Sequence, residues 1–215
     1  MKKNLFPFLL FIAVSLMLFA RSVAVENQLS SDQTFFQLVY LGKSDPAFSD
    51  YRVPALDHYI PFQITNLLRE FISDPLWVYQ LLLPFLIFFY LISFYYILQK
   101  ILKNQAFAIL VPLLSLIPHT ALGSQYWGIF SVGHATHRSF IQPFFVIAFY
   151  LFYRFKEDLR KVSMLFLLLG FVSALYPTQA FYFVGIILLT FFLSQPSLAT
   201  MKKCFLGFLF FLLGT

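Results

Sequence analysis

Long apolar runs alternate with short polar connections along most of the chain. The run from Leu76 to Leu98 carries no charge and is the clearest candidate for a membrane-crossing helix, because about 20 apolar residues cross a bilayer core. Further apolar runs cover residues 5–20, 106–123, 140–153, 162–176, 180–194 and 204–215. The pattern predicts an all-α fold, a polytopic helical membrane protein, organised as a single membrane domain over residues 1–215.

Composition supports a lipid environment. Hydrophobic residues make up 60% of the 215 residues and charged residues 11%, and phenylalanine alone occurs 31 times. A soluble domain carries about a quarter charged residues, and such a fold has too little interior to bury so much aromatic surface. The net charge of +6 does not indicate nucleic-acid binding, because the basic residues form small clusters between apolar runs.

The basic clusters predict which connections face the cytoplasm. Ten of the basic residues fall in alternate connections: Lys2, Lys3, Lys100, Lys103, Arg154, Lys156, Arg160, Lys161, Lys202 and Lys203. The opposite side has five: Arg21, Lys43, Arg52, Arg69 and Arg138. The positive-inside rule therefore predicts a cytoplasmic N-terminus, an outer loop over residues 21–75 and six crossings before residue 195. Residues 162–194 must form a hairpin or a re-entrant pair, since basic clusters flank both of its ends.

The first and last apolar runs carry expectations of their own. Lys2 and Lys3 precede the first run, which is either a signal peptide cleaved after Ser22-Val23-Ala24 or a retained anchor. We favour an anchor over residues 1–20, mainly because of the resemblance described below. The last run is too short to cross a bilayer and ends without a polar flank, so we expect the natural protein to continue with further spans after residues 76–215.

The outer loop is predicted to carry two short helices. Ser30 and Gln33 have the spacing of a capping box, which predicts a helix that ends near Gly42. A second, amphipathic helix is predicted from the spacing of Ile64, Leu67, Leu68, Phe71 and Ile72, with its end at Asp74-Pro75. Both are expected to lie along the membrane surface as interfacial elements.

These features resemble a known family. An N-terminal membrane helix leads into an outer loop that opens with Asp32-Gln33-Thr34-Phe35-Phe36, and short hydrophobic hairpins follow, one of which turns at Leu175-Tyr176-Pro177-Thr178. The chain resembles the N-terminal half of the GT-C class of membrane glycosyltransferases, which includes protein O-mannosyltransferases and lipid A aminoarabinose transferases. It is most similar to uncharacterised bacterial GT-C-like proteins that carry an Asp-Gln start and then a "DP…F…D" stretch, here residues 45–50.

The resemblance implies an activity and a set of site residues. Such proteins take a sugar from a polyprenyl-phosphate donor and transfer it outside the cytoplasm, which implies a bacterial inner-membrane location. Asp32 would be the catalytic base, and Asp45 and Asp50 would bind substrate. Arg52 and Arg138 could face the lipid phosphate, because a guanidinium pairs with phosphate oxygens.

The second outer segment departs from the family pattern. Residues 124–139 contain no acid, where the family often has one, and contain Gln125, His134, His137 and Arg138 instead. His134 and His137 are three residues apart, so on a helix they would share a face and could bind a divalent metal. The alternative interpretation of these histidines is a polar loop near the interface, and that of residues 45–51 is a solvated turn.

Two other functions remain open from the sequence. One is a transporter component, although such proteins usually carry ionisable residues inside the membrane, and the six complete apolar runs contain no Asp, Glu, Lys or Arg. The other is a non-catalytic membrane scaffold, which the missing second acid favours. The partners expected under the main hypothesis are membrane lipid and a polyprenyl-phosphate sugar donor, and no nucleic acid.

Overall fold

The computed structural model of the protein describes residues 5–25, 34, 37–41, 46–51, 60–116, 140–194 and 196–215. Within those ranges every regular element is helical, so the all-α prediction is confirmed. The chain forms two compact units, unit 1 over Met1–Pro143 and unit 2 over Phe144–Thr215.

Eight α-helices are described. They are α1 (Leu5–Val25), α2 (Ile60–Arg69), α3 (Pro75–Leu102), α4 (Gln105–Leu114), α5 (Gln142–Phe155), α6 (Leu159–Val172), α7 (Pro177–Ser194) and α8 (Leu198–Gly214). Residues 37–41 are also helical, and short 3-10 helices cover Pro46–Tyr51 and Ser173–Leu175. Within the described residues each predicted run lies wholly or partly in a helix, although only residues 106–116 of the run 106–123 are described. Helices α1 and α8 reach beyond their apolar runs into Arg21 and Lys202.

In unit 1, α1 and α3 pack against each other in opposite directions. The ring of Phe8, early in α1, meets the ring of Phe88 edge-on with a centroid distance of 5.1 Å. At the other end of the pair, Gln80 Nε2 of α3 donates a hydrogen bond of 3.3 Å to the backbone carbonyl of Ser22. This bond satisfies a buried amide that would otherwise destabilise an apolar interface.

The start of α3 corrects the prediction that Asp74-Pro75 ends the preceding helix. The preceding helix, α2, already ends at Arg69, and Asp74 is the N-cap of α3. The Asp74 carboxylate accepts a 2.8 Å hydrogen bond from Leu76 N, and Pro75 occupies the first turn, where its missing N–H costs nothing. Asp-Pro therefore marks the beginning of the long helix.

A tight turn joins α3 to α4. Lys103 adopts the left-handed conformation with φ of 52°, and its N–H donates to Gln99 O at 3.1 Å, which closes the end of α3. Asn104 then caps α4, because its side-chain oxygen accepts hydrogen bonds from the amides of Ala106 and Phe107. The two helices are further linked by a 3.0 Å hydrogen bond between the hydroxyls of Tyr90 and Ser115.

In unit 2, ring contacts define the helix directions. Phe145 stacks on Phe183 with centroids 4.2 Å apart, and Phe152 meets Phe191 edge-on at 5.3 Å, so α5 and α7 run in the same direction. Cys204, early in α8, lies against the carbonyl of Leu188, late in α7, so α7 and α8 run in opposite directions. Residues 162–194, predicted as a hairpin or a re-entrant pair, lie in the two consecutive helices α6 and α7 joined through Ser173–Leu175, and their crossing of a membrane stays a prediction.

Among the described residues, two helices are long and apolar enough to cross a membrane. They are residues 5–24 of α1 and the whole of α3 (Pro75–Leu102), with mean hydropathies of 2.1 and 2.3. Only 28% of the first window and 33% of the second is buried. The remaining helices are shorter, and at 1.5 Å per residue the 14-residue helices α5 and α6 reach only about 21 Å.

Candidate functional site

In unit 1, α2 packs against α3. The face of α2 formed by Pro61, Phe62 and Thr65 is buried. The Thr65 hydroxyl donates to the Phe62 carbonyl at 3.0 Å, and its side chain also hydrogen-bonds Tyr79 of α3. These contacts fix α2 beside the long helix. We call this region, made of residues 37–41, α2 and Tyr79, the loop end of unit 1.

Two residues of the predicted apolar stripe of α2 are exposed, while Ile64, Leu68 and Ile72 are half-buried. The second loop helix is present as predicted, but Phe71 and Ile72 lie beyond its end at Arg69. Leu67 is 57% exposed and Phe71 is 80% exposed, so described protein does not cover the most apolar members of the stripe. The buried face of α2 is instead formed by Pro61, Phe62 and Thr65, of which Thr65 contacts Tyr79 of α3.

Arg69 is the distinctive side chain of the loop end. Its guanidinium carbon lies 3.9 Å from the centroid of the Tyr40 ring, the distance of a close cation–π contact. Its Nε is buried and has no hydrogen-bond partner within the described ranges. Residues separated widely in sequence thus hold a cation in place while leaving one of its donors without an acceptor.

Burial and neighbouring hydroxyls act on Arg69 in opposite senses. Burial lowers the pKa of the Arg69 guanidinium, and the nearby Tyr40 and Tyr79 side chains raise it. An arginine keeps its proton at neutral pH even after such a shift, since its ordinary pKa lies far above neutrality. The loop end therefore presents a fixed, partly desolvated positive charge.

This arrangement can bind an oxyanion. Stacking on Tyr40 uses the flat face of the guanidinium and leaves its N–H edges for an acceptor. Hydrogen bonds from a charged donor to phosphate or carboxylate are about twice as strong as neutral ones. Arg69 is only partly buried as a residue, so a phosphate ester could accept from its terminal N–H groups and neutralise the desolvated charge, while Nε itself stays buried.

Of the site residues predicted from the sequence, the structure describes Asp50. It lies exposed on the 3-10 helix Pro46–Tyr51. The others, Asp32, Asp45, Arg52, His134, His137 and Arg138, lie outside the described residues, so their roles stay predictions. The helical residues 37–41 fall within the helix predicted after Ser30.

The metal prediction is untested for the same reason. Within the described ranges, no group of three or more His, Cys, Asp or Glu side chains is placed to hold a metal ion. The two histidines proposed as ligands, His134 and His137, belong to residues 117–139, which lie outside those ranges.

Sequence reasoning missed the Arg69 cluster. Arg69 entered the prediction only as one of the outer basic residues, and Tyr40 and Tyr79 were not singled out. The available signal was an arginine at the end of an amphipathic helix just before the longest span, where a cation also favours the helix carboxyl end. The contact between Arg69 and Tyr40 could not be predicted from a local sequence pattern, because the two residues belong to separate helices.

Comparison with known proteins gave no relative. No protein-family model, no curated protein and no solved structure matches the chain.

Proposed function

We propose that this protein is a multi-pass membrane glycosyltransferase that takes a sugar from a polyprenyl-phosphate donor on the extracytoplasmic side. The observation that carries the proposal is the stacked, partly desolvated guanidinium of Arg69 at the loop end. The resemblance to GT-C enzymes names the reaction, and Arg69 adds a described group that fits the donor phosphate.

The uncovered surface of the helices supports a membrane location. Large apolar side chains stay exposed along both units, with Phe85 at 72%, Leu193 at 67% and Leu213 at 75% exposure. In water, apolar surface on this scale drives association, whereas in hydrocarbon it is the favoured surface. The low buried share of α1 and α3 argues against these helices being the core of a soluble protein.

The charge distribution supports an outward-facing loop end. The loop end lies at the start of α3, and the basic residues Lys100 and Lys103 lie at the other end of that helix. By the positive-inside rule the end with Lys100 and Lys103 is cytoplasmic, so Arg69 is external. The uncovered Leu67 and Phe71 would then insert into the outer interface and hold α2 at the depth of lipid headgroups.

The proposed reaction assigns one role to each group. The acceptor hydroxyl oxygen attacks the anomeric carbon of the sugar, and its proton passes to the Asp32 carboxylate. The bond between the anomeric carbon and the phosphate oxygen breaks, and the phosphate leaves with that electron pair. Arg69 would stabilise the leaving phosphate together with Arg52 or Arg138, because preorganised cations lower the energy of developing negative charge.

Donor binding tests the role of Arg69. The full-length protein in neutral detergent with excess phosphatidylglycerol is titrated with polyprenyl phosphate, and the Trp77 fluorescence is followed after replacement of Trp127 by Phe. Arg69→Gln should weaken binding about ten- to a hundredfold, the range for a hydrogen bond to a charged group. Arg69→Lys keeps the charge without the planar guanidinium, so its affinity for polyprenyl phosphate should lie between those of the parent and Arg69→Gln.

Arg21 provides the matched control. It is an exposed arginine near the end of α1 at the same side of unit 1. Arg21→Gln removes the same charge without touching Tyr40 and should bind polyprenyl phosphate like the parent. Equal weakening by Arg21→Gln and Arg69→Gln would mean that Arg69 acts only through general charge. Unaltered binding by Arg69→Gln would remove the observation on which the proposal rests.

The competing functions make different predictions. A transporter component would move a solute without consuming the donor, and a scaffold would bind lipid without releasing sugar. Loss of radiolabelled sugar from its polyprenyl phosphate in proteoliposomes separates the enzyme from both. Such turnover is the expected result.

A further inference from the structure

Two helices of unit 2 begin side by side. Gly207 of α8 faces the ring of Phe166 in α6, and further along Gly214 faces Gly170. Residue numbers increase in the same direction along both helices, so α6 and α8 are parallel. Continuing this register back toward the helix starts brings Lys202 and Lys203 level with Arg160 and Lys161.

The other two helices end at the same place. α5 turns directly into α6 between Phe155 and Leu159, and α7 runs opposite to α8 and ends at Ser194, just before α8 begins. We call this part of unit 2 the cationic end. It combines basic residues from three helix termini: Arg154, Lys156, Arg160, Lys161, Lys202 and Lys203.

Two carboxylates, Glu157 and Asp158, face these six cations among the described residues of the cationic end. Asp158 is already engaged, since it accepts a 3.2 Å hydrogen bond from Lys161 N and forms a 2.8 Å ion pair with Lys161 Nζ. A strong excess of positive charge therefore remains on an exposed surface.

Aromatic rings and apolar side chains lie beside the cations. Lys161 Nζ is 5.2 Å from the centroid of the Phe155 ring, and Lys156 Nζ is 5.7 Å from that of Tyr153. Aromatic and basic side chains together are typical of the headgroup level of a bilayer. Leu198 and Met201, which flank Lys202 on α8, are 64% and 52% exposed.

We propose that the cationic end binds anionic phospholipid of the adjacent leaflet, with the phosphate between the starts of α6 and α8 and the acyl chains along Leu198 and Met201. The proposed lipid site is formed by residues of unit 2 alone and does not rest on the proposed sugar transfer. A free phosphate ion would use the cations alone, but it would gain nothing from exposed leucine and methionine. The neighbouring apolar surface therefore favours a lipid.

A binding site formed by two helices can be distinguished by mutation from a diffuse positive field. In a diffuse positive field every cation near the membrane would contribute alike. In a site between α6 and α8, removal of the cations of either helix should abolish most of the binding. Each cation near an anionic surface contributes enough that loss of two should weaken binding about thirtyfold.

Native mass spectrometry of the full-length protein in neutral detergent, titrated with phosphatidylglycerol, measures the apparent dissociation constant. The variants are Arg160→Gln with Lys161→Gln, and Lys202→Gln with Lys203→Gln. Glutamine preserves the helices, because its helix propensity is close to that of lysine and arginine. We expect each pair to weaken binding about thirtyfold, and phosphatidylcholine to bind the parent weakly.

The matched control removes Lys100 and Lys103, two cations at the end of α3 in unit 1. That pair should change the dissociation constant by less than threefold, and the charge-keeping pair Arg160→Lys with Lys161→Arg should bind like the parent. Equal losses from all three glutamine pairs would show a diffuse field and overturn the site. Displacement of the lipid by millimolar inorganic phosphate would reassign the cations to a free phosphate ion, and equal binding of phosphatidylcholine would also contradict the proposal.

Discussion

Gly170 of α6 and Gly214 of α8 lie backbone against backbone. A Cβ atom added to Gly170 would meet the Phe211 carbonyl oxygen and would come within 2.6 Å of the Gly214 Cα. A Cβ on Gly214 would in turn lie 3.0 Å from the Gly170 Cα. Small residues allow helices in membranes to approach this closely, and the tight contact holds the two helices that carry the cationic end.

Gly170→Ala should therefore destabilise unit 2. The added methyl group would overlap backbone atoms of α8, and overpacking of this kind lowers the free energy of unfolding by about 1–3 kcal/mol. The measurement is the thermal unfolding temperature of the purified protein in detergent, which should fall. Gly185→Ala is the control, because a Cβ there meets no atom within 4 Å. The control should be neutral or stabilising, and equal losses from both variants would contradict the close contact.

Membrane topology is tested by thiol labelling in a background with Cys204→Ser, which removes the natural cysteine. Ser49 and Glu157 are both exposed, the first near the predicted outer loop helices and the second at the cationic end. Ser49→Cys should react with an impermeant reagent on intact cells, since residues 21–75 are predicted outside. Glu157→Cys should react only after permeabilisation. The reverse pattern would overturn the assigned orientation.

The turn before α6 should give a pH-dependent contribution to stability. The hydrogen bonds from the Lys161 side chain and backbone N–H hold the pKa of the Asp158 carboxyl below its ordinary value. Because the folded pKa is depressed, the stabilisation is present above the unfolded pKa of about 3.9 and is lost as the pH falls through the folded pKa. The difference in unfolding temperature between parent and Asp158→Asn should be positive at pH 7.

That difference should vanish in acid. Below the folded pKa the parent carboxyl is protonated and resembles the amide, so the two curves should converge. The contribution of this exposed pair should also shrink at high salt, because salt screens surface charges. Glu157→Gln, which leaves Asp158 and Lys161 in place, serves as the control. A difference from Asp158→Asn that persists unchanged to pH 3 would mean that the carboxylate charge is irrelevant.

Apolar patterning predicted most of the helices but not where they begin and end. Helix α1 continues through Arg21 and Ser22 because arginine and serine do not break a helix, although they end an apolar run. The sequence pattern predicts that Asp74 ends one helix, whereas its side chain caps the next one. Both errors arise because hydrophobicity reports burial or lipid contact, while hydrogen bonding sets the helix ends.

The candidate site could be predicted only in part. The basic-residue pattern predicts an outer loop that includes Arg69, but the Arg69–Tyr40 contact depends on how residues 37–41 pack against α2. Likewise, the sequence indicated two basic clusters on one side of the membrane, and only the parallel packing of α6 and α8 brings them together. Contacts between segments that are distant in sequence produce no local sequence pattern from which they could be predicted.

The reaction itself is tested most directly by Asp32→Asn in proteoliposomes that contain a radiolabelled polyprenyl-phosphate sugar and lipid from the host membrane. The substitution keeps size and most N-terminal capping ability, so the helix should lose only about 0.3–1 kcal/mol. Removal of a general base, in contrast, should lower the rate by about 10² to 10⁴. The account predicts that the parent releases the sugar and that Asp32→Asn, made at the parent level, does so at least a hundredfold more slowly. A parent that never consumes the donor, or an Asp32→Asn variant as fast as the parent, would contradict it.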